Sequence, residues 1–133
     1  MKFKNEFYFL SNMYPCELHI NGLTFTCAEA AFQSFKVLDK EARKQFQGIS
    51  GFEAKKLGKQ VSLRTDWNNI RLDVMLAVLK VKFKQHPELA TLLKMINVPI
   101  VEDNTWNDTF WGRCNGRGNN YLGKLLEQIK ETL

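Results

Sequence analysis

The sequence predicts a helix-rich α+β fold, a single domain over residues 1–133 with a small antiparallel β-sheet. Three observations predict it. Leu18-His19-Ile20 and Leu23-Thr24-Phe25 flank Asn21-Gly22, a dipeptide that accepts the positive φ angles of a type I′ hairpin turn. Apolar residues recur at helical spacing through most of the remaining chain. Helix start signals stand ahead of several of those runs.

Taken in order, the first helix is expected from Thr26. Its hydroxyl and Glu29, three residues on, have the spacing of a capping box, and Ala28, Ala31, Phe32 and Phe35 form an inward stripe. Ser50-x-x-Glu53 repeats the box before a short helix ending near Gly58. Asp66 is placed to cap the longest helix, Trp67 to about Gln85. Ile70, Val74, Ala77, Val78 and Val81 keep one face of it, broadened by Met75, Leu79 and Phe83. Pro87 suits a first helical turn and opens a helix with Leu89, Leu92, Leu93 and Ile96 inward. Val98–Glu102 is a short apolar run expected as a strand, and a final helix is expected from near Asn120.

Composition narrows the function classes. A chain of 133 residues is long enough to remove roughly two thirds of its unfolded surface from water. Its 44% hydrophobic content excludes a disordered chain. The net charge of +5 favours anionic partners, yet the basic residues form no run, so a polybasic nucleic-acid tract is absent. No segment approaches the ~18 apolar residues of a membrane span. With no signal-peptide pattern and an odd number of cysteines (Cys16, Cys27, Cys114), a reducing cytoplasm is the expected setting. Cys16-x-x-His19 is half of a zinc pattern without its second half, so no metal is expected. GxxxxGK[ST] and GxGxxG are both missing.

The chemistry-bearing stretch is Asn107–Gly123, NDTFWGRCNGRGNNYLG, in which Asp108, Phe110, Trp111, Arg113 and Arg117 crowd around glycines ahead of a helix. Trp111 beside Gly112 could stack on a base; Arg113, Arg117 and Lys36 could meet phosphate. Gly116–Asn120 could turn backbone N–H groups toward an anion. Asp108 is read either as an Asx-turn residue or as an active-site acid. Glu29 is read either as the capping-box partner or as a carboxylate at a helix start, sharing a face with Phe32 and Lys36. Glu102 is a third candidate acid, read first as a solvated strand end. Trp67 is read first as a core aromatic. Cys114 beside Arg113 has the setting of a reactive thiol, but no histidine pairs with it in sequence.

Several segments together resemble the NADAR family, also called YbiA-like. They are Phe9–Pro15, Gly22–Phe25, Ala28–Lys36, Ala54–Gly58, Arg64-x-Asp66-Trp67, Val74-Met75 and Lys82-Phe83, then Asn107-Asp108-x-x-Trp111-Gly112 and Gly116-x-Gly118-x-Asn120-x-Leu122-Gly123-x-Leu125-Leu126. They occur in family order from about Phe9 to Leu126. The resemblance implies the YbiA-like fold and an N-glycosidase without metal or redox cofactor. Its substrate would be a phosphorylated N-riboside, as in phosphoribosylamino-pyrimidine intermediates of riboflavin synthesis, or an ADP-ribosyl group, including ADP-ribosylated guanine in nucleic acid. It makes Glu29 the leading catalytic carboxylate and Asp108 a second acid, with Asn12, Lys36, Trp67, Trp111, Gly112 and Asn120 lining the substrate site. Ala30 stands where the family often has histidine, and Met13 replaces an aromatic. The rival reading is a non-catalytic module for ADP-ribose, NAD-like ligands or nucleic acid. Oligomeric state is not legible in the sequence.

Overall fold

A computed structural model describes all 133 residues. The chain divides into two compact units, Asn12–Gln85 and a second made of Met1–Ser11 with His86–Leu133. No helix is long and apolar enough to cross a membrane.

The Asn12–Gln85 unit begins with the expected hairpin, β1 (Leu18–Ile20) against antiparallel β2 (Leu23–Phe25), with Leu18 opposite Phe25. Asn21 and Gly22 hold φ angles of 51° and 81°, which Asn and Gly tolerate best. A two-stranded sheet leaves both edges open and is marginal alone. Here glutamine side chains close the edges. Gln85 accepts from His19 N and donates to His19 O, both at 2.9 Å, and Gln47 accepts from Thr24 N.

Next come α1 (Ala28–Ser34), the short α2 (Lys40–Arg43), a 3₁₀ turn (Lys44–Phe46), α3 (Gly51–Gly58) and α4 (Trp67–Gln85). The capping box at Ser50 and Glu53 forms in both directions. The one expected at Thr26 does not. The Thr26 hydroxyl donates to Ile49 O instead, Cys27 is the N-cap without a side-chain bond, and α1 starts at Ala28. Asp66 does precede α4, with its carboxylate gripped in a fork by Arg64 at 2.7 and 3.1 Å. The buried face of α3 is Gly51, Ala54 and Gly58, so nothing larger than a methyl group separates it from its neighbour. That neighbour is α1, the helix against which α3 packs most extensively.

The inward face of α4 is rotated from the expected one. Met75, Val78, Leu79, Lys82 and Phe83 are buried, whereas Ala77 is exposed and Ile70, Val74 and Val81 are only partly covered. The spacing i, i+3, i+4, i+7, i+8 is regular, but one of its members is a lysine. Lys82 is fully enclosed, its ammonium 5.7 Å from the Tyr14 ring centre and 5.5 Å from that of Phe83.

The second unit contains a 3₁₀ turn (Asn5–Leu10), α5 (Pro87–Met95), β3 (Asp103–Asn104) paired in parallel with β4 (Arg113–Cys114), and α6 (Tyr121–Glu131). Leu89, Leu93 and Ile96 are buried as expected, but Leu92 is 43% exposed. Val98–Glu102 is not a strand. Side chains satisfy much of its backbone: Glu127 accepts from Ile100 N, and the Asn120 amide donates to Ile100 O and accepts from Glu102 N. Main-chain groups add to these, Arg113 N donating to Glu102 O and the Met1 ammonium to Val101 O.

Burial lowers the Lys82 pKa from 10.5 to about 8, partly opposed by Cys16 and Cys27. Between these values the unfolded chain holds a proton that the folded chain has released, so stability rises with pH across that window and carries the full cost of the buried charge below pH 8. The difference in urea-unfolding free energy between the wild type and Lys82→Met is expected to move toward the wild type by on the order of 3 kcal/mol from pH 8 to 10.5. A pH-independent difference contradicts this.

Candidate active site

Glu29 stands in the first turn of α1 with 9% of its surface exposed. Its backbone N donates to Asn12 O at 2.9 Å, which ties the helix start to the preceding segment. With the Thr26 hydroxyl turned to Ile49, the Glu29 carboxylate bonds along its own helix. Its Oε1 accepts from Gln33 Nε2 at 2.9 Å, one turn along the same face. Gln33 is itself buried. Its Oε1 packs at Gly58, where an added Cβ would overlap it, and has no hydrogen-bond partner. At the other end of α3, a Cβ on Gly51 would lie 3.3 Å from Glu29 Cβ and 3.1 Å from Cys27 Sγ.

Lys36 lies in the turn just past the end of α1, seven residues after Glu29, with its Nζ 3.4 Å from where a Gly58 Cβ would stand. Burial lowers its pKa; Glu29 pulls it back up, and Lys59 and Lys55 push it down. Asn12 Nδ2 donates to Met75 Sδ at 3.5 Å, and its Oδ1 is a second buried amide oxygen without a partner. Buried acceptors are normally satisfied, so two orphans on residues bonded to Glu29 mark this as polar ground without full internal complementation. Trp67, 6% exposed, packs on Phe32 with ring centres 5.1 Å apart. Within this unit the structure therefore brings Asn12, Glu29 and Lys36 together and places Trp67 as a packed aromatic, the first of its two expected roles.

The other expected residues belong to the second unit. Asp108 Oδ1 accepts from Phe110 N at 3.1 Å and Trp111 N at 2.9 Å, the Asx-type turn considered from sequence. The Asn104 amide clamps the Asp108 main chain, donating to its carbonyl and accepting from its N–H. Trp111 is half-buried, edge-on to Phe110 at 4.8 Å. Gly112 is obligatory for space, because a Cβ there would run into the carboxylate and carbonyl of Glu102. Asn120 is buried and left-handed (φ 53°), its amide committed to Ile100 and Glu102.

Three readings of this loop are corrected. Glu102 is not a solvated strand end; it is 8% exposed and lies against Gly112 and Asn104. Cys114 is buried within β4 and is no exposed thiol. The start of α6 does not open to an anion either. The N–H groups of Asn119, Asn120, Tyr121 and Leu122 donate to the carbonyls of Thr109, Gly112, Phe110 and Trp111. Those donors would have made the site, and the loop's own main chain takes them.

Sequence reasoning missed Gln33. The i, i+4 spacing from Glu29 was its available signal.

Two substitutions check this description of the loop. Asp108→Ala is expected to cost about 1–2 kcal/mol in urea unfolding, whereas Asp108→Asn, which keeps an acceptor oxygen, is expected to cost clearly less. Gly112→Ala is expected to cost about 1–3 kcal/mol, because the Glu102 main chain must move. Equal stabilities across these variants would show that the loop is not held as described.

Comparison with known proteins places the chain. The NADAR domain family model matches residues 1–133. N-glycosidase YbiA of Shigella boydii serotype 4 (strain Sb227) is 35% identical over 127 residues, covering 92% of this chain and 79% of that protein. A riboflavin biosynthesis protein of Vibrio vulnificus (strain YJ016) is 30% identical over 129 residues, 94% of this chain and 35% of the longer protein. The NMR structure of E. coli YbiA superposes with a TM-score of 0.86 at 31% identity, covering 99% of this chain and 83% of that one. The full-length match, the identity to YbiA proteins and the shared fold agree: this chain belongs to the NADAR domain family.

Proposed function

We propose that this protein is a hydrolase of N-glycosyl bonds that cleaves the ribosyl C1–N bond of a phosphorylated N-riboside. The observation that carries the reading is Glu29: a largely buried carboxylate in the first turn of a helix, oriented by Gln33, with Lys36 in the turn just beyond that helix. The names of the relatives, N-glycosidase and riboflavin biosynthesis protein, support the reaction type and favour an aminopyrimidine riboside over an ADP-ribosyl group.

In the proposed reaction Glu29 orients a water molecule and takes its proton as the oxygen bonds to C1. The C1–N bond breaks toward nitrogen, and the departing base takes up a proton. Positive charge gathers on the ribose as the bond loosens, so an ionised carboxylate close by also lowers the barrier electrostatically. Glu29 in turn helps Lys36 keep its proton against the effect of burial. Asn12 Oδ1 is an acceptor available to a ribose hydroxyl or a base N–H. Asp108 and Trp111 keep the roles the resemblance implies, second acid and stacking surface. Gly112 and Asn120 act by shaping their loop.

Glu29→Gln keeps an oxygen to accept from Gln33, so the fold is expected to stand. Turnover is expected to fall by about 10²–10⁴-fold, the usual worth of general-base assistance. The measurement is release of free base, followed by mass spectrometry over a panel of phosphoribosylamino-pyrimidines, ADP-ribosylated guanine oligonucleotides and NAD. Full turnover by a folded Glu29→Gln protein would falsify the assignment. Tight ADP-ribose binding by both proteins with no product would favour a binding module instead.

A further inference from the structure

The Lys36 end of α1 holds more positive charge than the protein itself answers. Lys36 Nζ stands over Gly58, the last residue of α3. Lys59 is the next residue, and Lys55 lies one turn back on the same side as Lys59. Both are exposed, and both act on Lys36 as like charges. Neither has an acidic partner within ion-pair distance. Like charges at i, i+4 repel one another, and a third ammonium half-buried beside them adds to the repulsion. The small inner face of α3 enforces the crowding, since Gly51, Ala54 and Gly58 let the helix lie close on α1.

A bound dianion turns this repulsion into attraction. Its distance from the carboxylate is also suitable. Glu29 and Lys36 are seven residues apart, Lys36 standing in the turn just past the end of α1, a span of about 10 Å at helical rise. A ribose ring with its C1 at the carboxylate and its 5-oxygen pointing along the helix fills such a span. We propose that Lys36, Lys55 and Lys59 form the subsite for a phosphate on the 5-oxygen of the ribosyl substrate, an inference that rests on the N-glycosidase reading above. Lysine suits the task because three flexible point charges can converge on one phosphate from two helices. Lys56, also exposed on α3, is not among the charges that act on Lys36 and lies outside the subsite.

The test is calorimetry on the full chain with ribose 5-phosphate, ADP-ribose and ribose as probes, comparing wild type, Lys55→Gln/Lys59→Gln and Lys56→Gln. The double variant is expected to bind ribose 5-phosphate or ADP-ribose roughly tenfold more weakly, with a flatter salt dependence. Lys56→Gln is expected to stay within about twofold of wild type. The phosphate-bearing probe that loses more in the double variant identifies whether a monoester or a diphosphate is the natural group. If the double variant binds both as wild type does, or if Lys56→Gln loses as much, the subsite is wrong. Kinetics on a cleaved substrate keep the two proposals apart. A rise in KM with little change in kcat in the double variant supports the subsite. Unchanged KM with intact turnover overturns the subsite but leaves the reaction. Lost ribose 5-phosphate affinity in a protein that cleaves nothing overturns the reaction but leaves the subsite.

Discussion

The Asn12–Gln85 unit is organised around keeping one carboxylate largely out of water at the start of a helix. A buried carboxylate is tolerated only with hydrogen bonds and charge to hold it. Glu29 gets them from its own helix, through the Gln33 amide and the lysine a further turn along. Gln33 has room because α3 presents glycine there, and α1 begins where it does because Asn12 accepts from Glu29 N. The helix dipole acts in the same sense, since the first turn favours negative charge. A larger residue at Gly58 would thus reach Glu29 through Gln33 rather than by contact.

A second theme is that amide side chains do the work of missing strands. The sheets are too short to satisfy much backbone. Gln47 and Gln85 close the hairpin edges, Asn120 stands in for a strand beside Ile100 and Glu102, and Asn104 clamps Asp108. Except for the local Asn104–Asp108 clamp, each bond ties residues distant in sequence at a single point, whereas a ladder would spread the same job over many residues. Asn120 combines two properties of a short amide side chain: it tolerates a left-handed backbone, and it bonds main chain on either side of Val101.

What the sequence made legible was local. Asn21-Gly22 announced its hairpin, Ser50 and Glu53 their capping box and Pro87 its helix, because each signal depends on residues within a turn of one another. The failures share a cause as well. Thr26 has a capping box's spacing, but its hydroxyl is drawn to Ile49, twenty-three residues away. Val98–Glu102 reads as a strand because nothing local reveals that Asn120 and Glu127 will pair with it. The turn of α4 hid behind Lys82, which any hydropathy pattern assigns to solvent. At the site, Glu29 and Lys36 were visible as a helical face. The orphan oxygens of Asn12 and Gln33 were not, since an unmet acceptor is a property of packing alone.

The closed start of α6 bears on how an anion can be recognised at all. Helix N-termini are the usual protein answer to phosphate, because oriented N–H groups need no flexible side chain. In this chain the glycine-rich loop before α6 has the composition for that answer, yet its carbonyls fold back on the helix and take the donors. The same glycines that suggested an anion cradle serve a different end: Gly112 and Gly118 let two stretches of main chain approach more closely than a Cβ permits. Recognition of negative charge is thereby left to side chains. Arg117 is exposed on the loop, whereas Lys36 is held half-buried beside Glu29 by the packing of α3. Partial burial strengthens a charge's interaction with a ligand as it weakens its hold on the proton. Of Arg117 and Lys36, it is accordingly Lys36 whose electrostatic force on a bound anion is less screened by water.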